Sequence, residues 1–182
     1  MRKITALITT VLMSVQGVPA YAIGEEGSEF YGSSDGWDVY KTVVPGTRNR
    51  CELVALTHRH SLLVAFDPIR DALLLGFTIE DGSNFPVGKD VELKIGLGNK
   101  VGPDHPMIPV DASTSNGTDV ESHRTFYARL PDAEPFLRDF SSAEFIAVFT
   151  DPELRTLLAI DLKGSAKAVA LLRKCAYSLK PQ

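Results

Sequence analysis

Only two cysteines occur in the 182 residues, and after residue 22 no apolar run approaches the length of a membrane span, which takes roughly 20 consecutive apolar residues. No basic run is present either, and the formal net charge is −4. An acidic chain without a basic stripe is a poor ligand for nucleic acid or anionic lipid. Compact catalytic signatures are also scarce. There is no CxxC pair, no Gly-x-Gly-x-x-Gly and no phosphate-binding loop, so dithiol redox chemistry and nucleotide cradling lack their usual residues. No serine is expected in a Gly-x-Ser-x-Gly elbow between a strand and a helix. No cofactor is expected.

The amino terminus has a definite pattern. Arg2 and Lys3 precede an uncharged, mostly apolar stretch from Ile4 to Val18, and Ala20-Tyr21-Ala22 places small residues where a signal peptidase reads. That order predicts a secretory signal peptide over 1–22, with the mature protein starting near Ile23. The remaining 160 of the 182 residues suffice for one domain with its own core. With Arg2 and Lys3 removed, 17 basic residues face 23 acidic ones, a charge of −6. Cys51 and Cys175 both remain. In an oxidising compartment such a pair forms a structural disulfide, and a loop above a hundred residues makes it worth about 4–5 kcal/mol in the chain-entropy picture.

Residues 23–36 are rich in Gly, Ser and Glu without periodicity and read as a flexible lead-in. From Trp37 to 182 the pattern is a single β-rich domain. Trp37, Val39, Lys41 and Val43 alternate with their neighbours, and Cys51–Leu56 and Leu62–Phe66 flank Thr57-His58-Arg59-His60-Ser61 as a hairpin. Further strands are expected over Ala72–Ile79, Val91–Leu97, Ser122–Leu130, Phe145–Phe149 and Leu154–Leu162. The alternation in Val91–Leu97 is the cleanest. Phe145–Phe149 is apolar on both faces, as in a central strand. Residues 98–122 read mainly as a long polar loop, with Met107–Val110 a short strand inside it. A short helix opens at Asp132, its expected N-cap, and carries Phe136, Leu137 and Phe140. A last helix, capped by Ser165, presents Ala168, Leu172, Cys175 and Leu179 on one stripe. Strands joined by turns argue a mainly β fold, an antiparallel sandwich or partly open barrel, with a short helix and an amphipathic C-terminal helix.

His58 and His60 are the most suggestive pair. On an extended strand they would share a side, but zinc needs three or four ligands, and His105 and His123 are the only other histidines. No metal site is assigned, and the segment reads more simply as a polar hairpin tip. Candidate binding residues are His58, Arg59 and His60 at that tip, with Tyr127 and Arg129 on an exposed strand face. Arg124 is expected to share that face beside Glu92 and Lys94. Asn116-Gly117-Thr118 fits a glycosylation sequon.

The order of segments also resembles a known family. The strand Val91-Glu92-Leu93-Lys94-Ile95 is followed by a polar loop and by Phe126-Tyr127-Ala128-Arg129-Leu130. Then come Phe136-Leu137-Arg138-Asp139-Phe140 and Glu144-Phe145-Ile146-Ala147-Val148-Phe149. Ala159-Ile160-Asp161-Leu162-Lys163-Gly164 runs into the Leu-rich helix. This order is similar to the invasion-associated locus B family of exported bacterial proteins, over about residues 37–177, with Trp37 and Cys51 where that family has a Trp-led strand and a Cys. The resemblance implies a small β-rich domain in the periplasm or at the outer membrane. It implies a role in envelope or host association, and it brings no catalytic residues.

The leading expectation is therefore a non-enzymatic periplasmic or secreted binding module with a protein partner in the envelope. It would have no nucleic-acid partner and no membrane span in the mature chain. A second expectation is an inhibitor or immunity-type protein, whose acidity suits a basic hydrolase or toxin. A third, from another class, is a metal-dependent hydrolase using His58 and His60.

Overall fold

The computed structural model describes residues 28–43, 49–57, 60–99, 107–116 and 122–179. The expected signal peptide, His58, Arg59 and His105 lie outside them. The elements are β1 (Ser28–Ser34), β2 (Trp37–Thr42), β3 (Arg50–Leu56), β4 (His60–Asp67), β5 (Ala72–Ile79), β6 (Asp90–Gly98), β7 (Met107–Ser115), β8 (Arg124–Leu130), α1 (Ala133–Ser142), β9 (Phe145–Thr150), β10 (Thr156–Asp161) and α2 (Ser165–Ser178).

The fold is mainly β. All ten strands join one antiparallel sheet in the order β1-β2-β3-β4-β5-β8-β7-β6-β9-β10. It is not closed into a barrel, because β1 and β10 remain its edges. The first five strands form a meander. The chain then crosses over, so that β8 pairs with β5 and the β6-β7-β8 meander is laid down in reverse, after which β9 adds to β6. The short helix and the amphipathic C-terminal helix are both present.

One sheet face and both helices share a single core. Leu53, Leu62, Val64, Leu75, Phe77, Ile95, Phe126, Ile146 and Val148 are fully or almost fully buried, together with Leu137 and Phe140 of α1 and Val169 and Leu172 of α2. The core positions follow the two-residue period of each strand. Phe77 and Phe126 stack at 4.9 Å between ring centroids. Helix α2 lies against β1–β4 and α1, and Cys51 of β3 is bonded to Cys175 of α2. Both cysteines are fully buried, so the bond pins the helix stripe onto the sheet as expected from the sequence. Trp37 at the start of β2 donates from Nε1 to the Lys163 carbonyl at 3.0 Å. There the turn after β10 meets the β1–β2 turn. Gly164 has φ +82°, and a Cβ on it would stand 2.4 Å from the Asp35 Cβ, so this junction tolerates only glycine.

Several expectations need correction. Of the flexible lead-in expected over 23–36, residues 23–27 lie outside the described residues, and Ser28–Ser34 is an edge strand paired along β2. Its ladder bonds and the Phe30–Tyr40 ring contact at 5.8 Å order a segment with few apolar residues. The polar tract after Val110 continues β7 to Ser115. Val110, Ala112 and Thr114 point inward while Asp111 and Ser113 point outward. Small inward residues disguise the alternation.

The helix caps also differ. Asp132 is in the left-handed region (φ 48°) and makes no side-chain cap. Instead Asp71, in the turn between β4 and β5, accepts the Ala133 N–H on its carbonyl at 3.2 Å and the Glu134 N–H on Oδ1 at 3.3 Å. Helix α2 begins after Gly164, and the Ser165 hydroxyl donates to the Phe140 carbonyl at 3.2 Å, joining the two helices.

Candidate binding cleft

The candidate binding residues separate once the strands are in register. His60 opens β4 and pairs with Ile79, and the turn before it is closed by the Thr57 N–H donating to the His60 carbonyl at 2.9 Å. His60 is thus the first residue of β4, and its expected companion His58 lies outside the described residues. Among the described residues no group of three His, Cys, Asp or Glu side chains could hold a metal ion. The Gly-x-Ser-x-Gly spacing does occur once, at Gly32-Ser33-Ser34-Asp35-Gly36, correcting the expectation that no serine holds that position. It lies on β1 and the β1–β2 turn, and the element that follows is another strand. The strand-to-helix turn that exposes a nucleophile is not formed here.

Arg124 and its expected neighbours are also placed differently. The Arg124 Nε donates to the Phe85 carbonyl at 2.9 Å and Nη1 to the His123 carbonyl at 2.8 Å. Arg124 therefore ties the β5–β6 connection to the start of β8, where Phe85 packs edge-on against Phe126 at 5.0 Å. Glu92 and Lys94 are not beside β8, because β7 lies between β8 and β6. Lys94 pairs with Asp151 at 2.9 Å.

Tyr127 and Arg129 do share the sheet face opposite the helices, and register explains their different roles. One straight row across four strands is Val54, Leu63, Gly76 and Tyr127. There the tyrosine ring covers the glycine, with Cε1 3.1 Å from the place a Cβ at Gly76 would occupy. The adjacent row is Glu52, Ala65, Leu74 and Arg129. Three strand spacings, about 14 Å in all, separate its charged ends, and the middle is small and apolar.

Ala65, Leu74 and Arg129 of that second row line a cleft of about 180 Å³, together with Ala72 and with Arg50, Asp67 and Arg70 around it. The depression exists because alanine and leucine occupy the centre while arginines rise from β3, from β8 and from the β4–β5 turn. Arg50 pairs with the buried Glu52 carboxylate through Nε. Asp67 shapes the turn by accepting the Ile69 and Arg70 N–H groups on Oδ1 at 3.0 and 3.3 Å. Arg70 and Arg129 are exposed, and among the described residues neither has a carboxylate partner.

Two exposed guanidinium groups at one cleft, with Arg50 held by Glu52 beside them, can do one thing well, which is to present planar donor forks to an anionic group over an apolar floor. The sequence signals Arg129 through strand alternation. Arg50 and Arg70 carry no such signal, because only the pairing of β3, β4, β5 and β8 brings them to it. A second polar cluster holds the helices together. Glu134 of α1 receives Arg173 Nη2 at 2.7 Å, Arg173 Nε at 3.0 Å and the Tyr177 hydroxyl at 2.9 Å. Burial raises the Glu134 pKa, but the hydrogen bonds from Arg173 and Tyr177 and the Arg173 charge outweigh it, so its carboxyl sits below the ordinary range.

A disulfide of this kind fits an extracellular or periplasmic protein. Among the described residues no helix is long and apolar enough to cross a membrane. No protein-family model, curated protein or solved structure matches the chain.

Proposed function

We propose that this chain is an exported, non-enzymatic interaction module of the periplasm or envelope, which meets a protein partner through the sheet face opposite its helices. The observation that carries the reading is the arginine-lined cleft on that face, where Arg70 and Arg129 stand without carboxylate partners among the described residues. Arginine is favoured at recognition surfaces because its fork gives directional hydrogen bonds at modest desolvation cost. The rigid support beneath it suits the same role. Four paired strands fix the row of side chains, and the Cys51–Cys175 bond fixes the helix behind them. The signal-peptide pattern at 1–22 and the resemblance to the invasion-associated locus B family point the same way, toward an envelope or host-association role.

The test is capture from periplasmic extract under mild cross-linking, read by mass spectrometry, with wild-type protein compared against R129E and R70E. Both positions are exposed, so both variants should keep the wild-type circular dichroism spectrum. A partner enriched by wild type and lost by both variants supports the reading. Equal capture by all three proteins, or no specific capture by wild type, overturns it.

A further inference from the structure

The composition of the cleft restricts what it can seat. Among the described residues its cations are Arg50, Arg70 and Arg129 and its one lining carboxylate is Asp67, while Glu52, buried and outside the lining, is bonded to Arg50. The Arg50–Glu52 pair offsets itself, so among the described residues Arg70 and Arg129 against Asp67 leave a surplus of one. A dianion such as a phosphate monoester would bring more charge than the surplus neutralises and would meet the Asp67 carboxylate at the rim. A monoanion matches it. Ala65, Ala72 and Leu74 leave the floor without polar side chains, so the part of the ligand below the charge should be aliphatic. About 180 Å³ is small beside the several hundred cubic ångströms usual for a drug-sized ligand. It suits one acidic group on a short carbon chain.

We infer that this cleft is a carboxylate receptor, which seats a single carboxylate on a short aliphatic stem between Arg70 and Arg129, as an acidic side chain or chain terminus of a partner protein would present it. The inference rests on the proposal that this face is the binding face, and it adds the chemistry recognised there. Arg129 and Arg70 supply the forks, from a strand and from a turn, so the bound group is held from two sides. Arg50 stays with Glu52 and contributes field, not a free fork. Tyr127, in the next row, keeps the floor flat by covering Gly76.

The probe is butyrate, a monocarboxylate with a three-carbon stem, titrated into the isotope-labelled mature chain with its disulfide intact. The Nε–Hε signals of Arg70 and Arg129 and the methyl signals of Ala65 and Leu74 are followed by NMR. Butanol and inorganic phosphate are titrated in parallel. The expected result is saturable shifts at those four residues with a dissociation constant of roughly 1–10 mM, reasonable for so few atoms. R129Q and R70Q should each weaken binding roughly tenfold, the usual scale for losing a charge-assisted hydrogen bond, while leaving Tm within error. Butanol should give no saturable shift at the arginines, and phosphate should bind more weakly than butyrate.

Tighter binding of phosphate, equal binding of butanol, or unchanged affinity in both variants overturns the inference, as does the absence of any saturable shift. If butyrate fails while R129E still abolishes partner capture, the binding face stands and its carboxylate chemistry falls. If butyrate binds while capture is indifferent to R129E, the receptor stands and the protein-partner reading falls.

Discussion

The ring of Tyr127 covers Gly76, its direct cross-strand partner, with Cε1 and Cδ1 3.1 and 3.2 Å from the place a Gly76 Cβ would occupy. Leu63, the opposite neighbour of Gly76, closes the other side at 3.4 Å through Cδ2. Glycine in a strand interior leaves a gap and weakens pairing, and an aromatic ring on the adjacent strand fills it. The pair stiffens the sheet beside the arginine cleft. Tyr127 is therefore a supporting residue, although strand alternation alone groups it with Arg129 as a binding residue.

Two substitutions test this pairing. Tyr127→Ala removes a half-buried ring and should cost about 1–3 kcal/mol, read as a lower denaturant midpoint. Gly76→Val drives a branched side chain into the ring and should cost about 1–3 kcal/mol by overpacking. Arg129→Gln, one strand pleat away and exposed, should change stability by less than about 0.5 kcal/mol. Similar stability losses for Tyr127→Ala and Arg129→Gln would contradict the division between supporting and binding residues.

A second test concerns the start of α1. Because Asp71 accepts both the Ala133 and Glu134 N–H groups, this helix is capped from the β4–β5 turn. Asp71 has φ +46°, so its replacements must tolerate the left-handed region. Asn does so and keeps the side-chain acceptor. Gly does so and loses it. Asp71→Asn should therefore be nearly neutral, and Asp71→Gly should cost about 1 kcal/mol through the lost cap. Amide exchange in the first turn of α1 should rise in Asp71→Gly alone. If the two variants exchange alike, Asp71 is not the cap.

The legible and illegible parts of this chain divide by range. Val91–Leu97 announces itself because apolar residues alternate on consecutive positions, and Phe145–Phe149 reads as central because both parities are apolar. Ile146, Ala147, Val148 and Phe149 are all buried, although β9 lies one strand in from the edge β10 and not at the centre of the sheet. Three of the four residues of the C-terminal stripe read correctly, since Ala168, Leu172 and Cys175 are buried on one helical face, while Leu179 falls just past the helix end and is half-buried. Where inward positions are small or polar the pattern fades. Ala112 and Thr114 of β7 look like loop residues, yet the Thr114 hydroxyl donates to the Pro86 carbonyl at 2.6 Å and accepts the Lys89 N–H at 3.1 Å. Ser28–Ser34 has too few apolar residues to be seen without β2 beside it. The cleft was only partly visible for a different reason. Arg129 follows from alternation within one strand, but Arg50 and Arg70 join it only through the pairing of β3, β4, β5 and β8, a non-local relation that spacing along the chain does not encode.

The disulfide offers a third test. Cys51 and Cys175 are 124 residues apart and fully buried. In the chain-entropy picture a loop of this size contributes about 5 kcal/mol, although measured losses on removing such a bond run about 2–5 kcal/mol. The C51A/C175A double variant should lose stability in that range. Its amide exchange should rise first in α2, whose attachment to β3 is cut, and later in β4 and β5 at the centre of the sheet. If α2 and the central strands exchange at the same rate in the variant, the bond does not serve as the pin of that helix.

The last test is the pH response of the helix pair. Glu134 is held below the ordinary glutamate range because its bonds to Arg173 and Tyr177 outweigh the opposing effect of burial. A depressed folded-state pKa adds stability above the unfolded value, about 4.3, and that stability is lost as pH falls through the folded value. The Glu134 side chain is 37% exposed, so solvent screening limits the contribution to about 1 kcal/mol or less. Tyr177 behaves in the opposite sense. Its hydrogen bond to Glu134, with burial and the Glu134 charge adding to it, raises its pKa above the usual phenol value. The stability it contributes is present below about pH 10 and disappears as pH rises through the folded value. Glu134→Gln should therefore lower stability at neutral pH and flatten the loss on acidification below about pH 4.3. It should also bring the Tyr177 titration, followed by ultraviolet absorbance, back toward the ordinary phenol range. Tyr177→Phe should shrink the alkaline limb, leaving the share of Tyr40, whose phenol pKa burial and the Asp38 charge also raise, and should leave most of the acid limb, because Arg173 still holds the carboxylate through two nitrogens. An acid limb equally steep in wild type and Glu134→Gln would show that carboxylates elsewhere set the response.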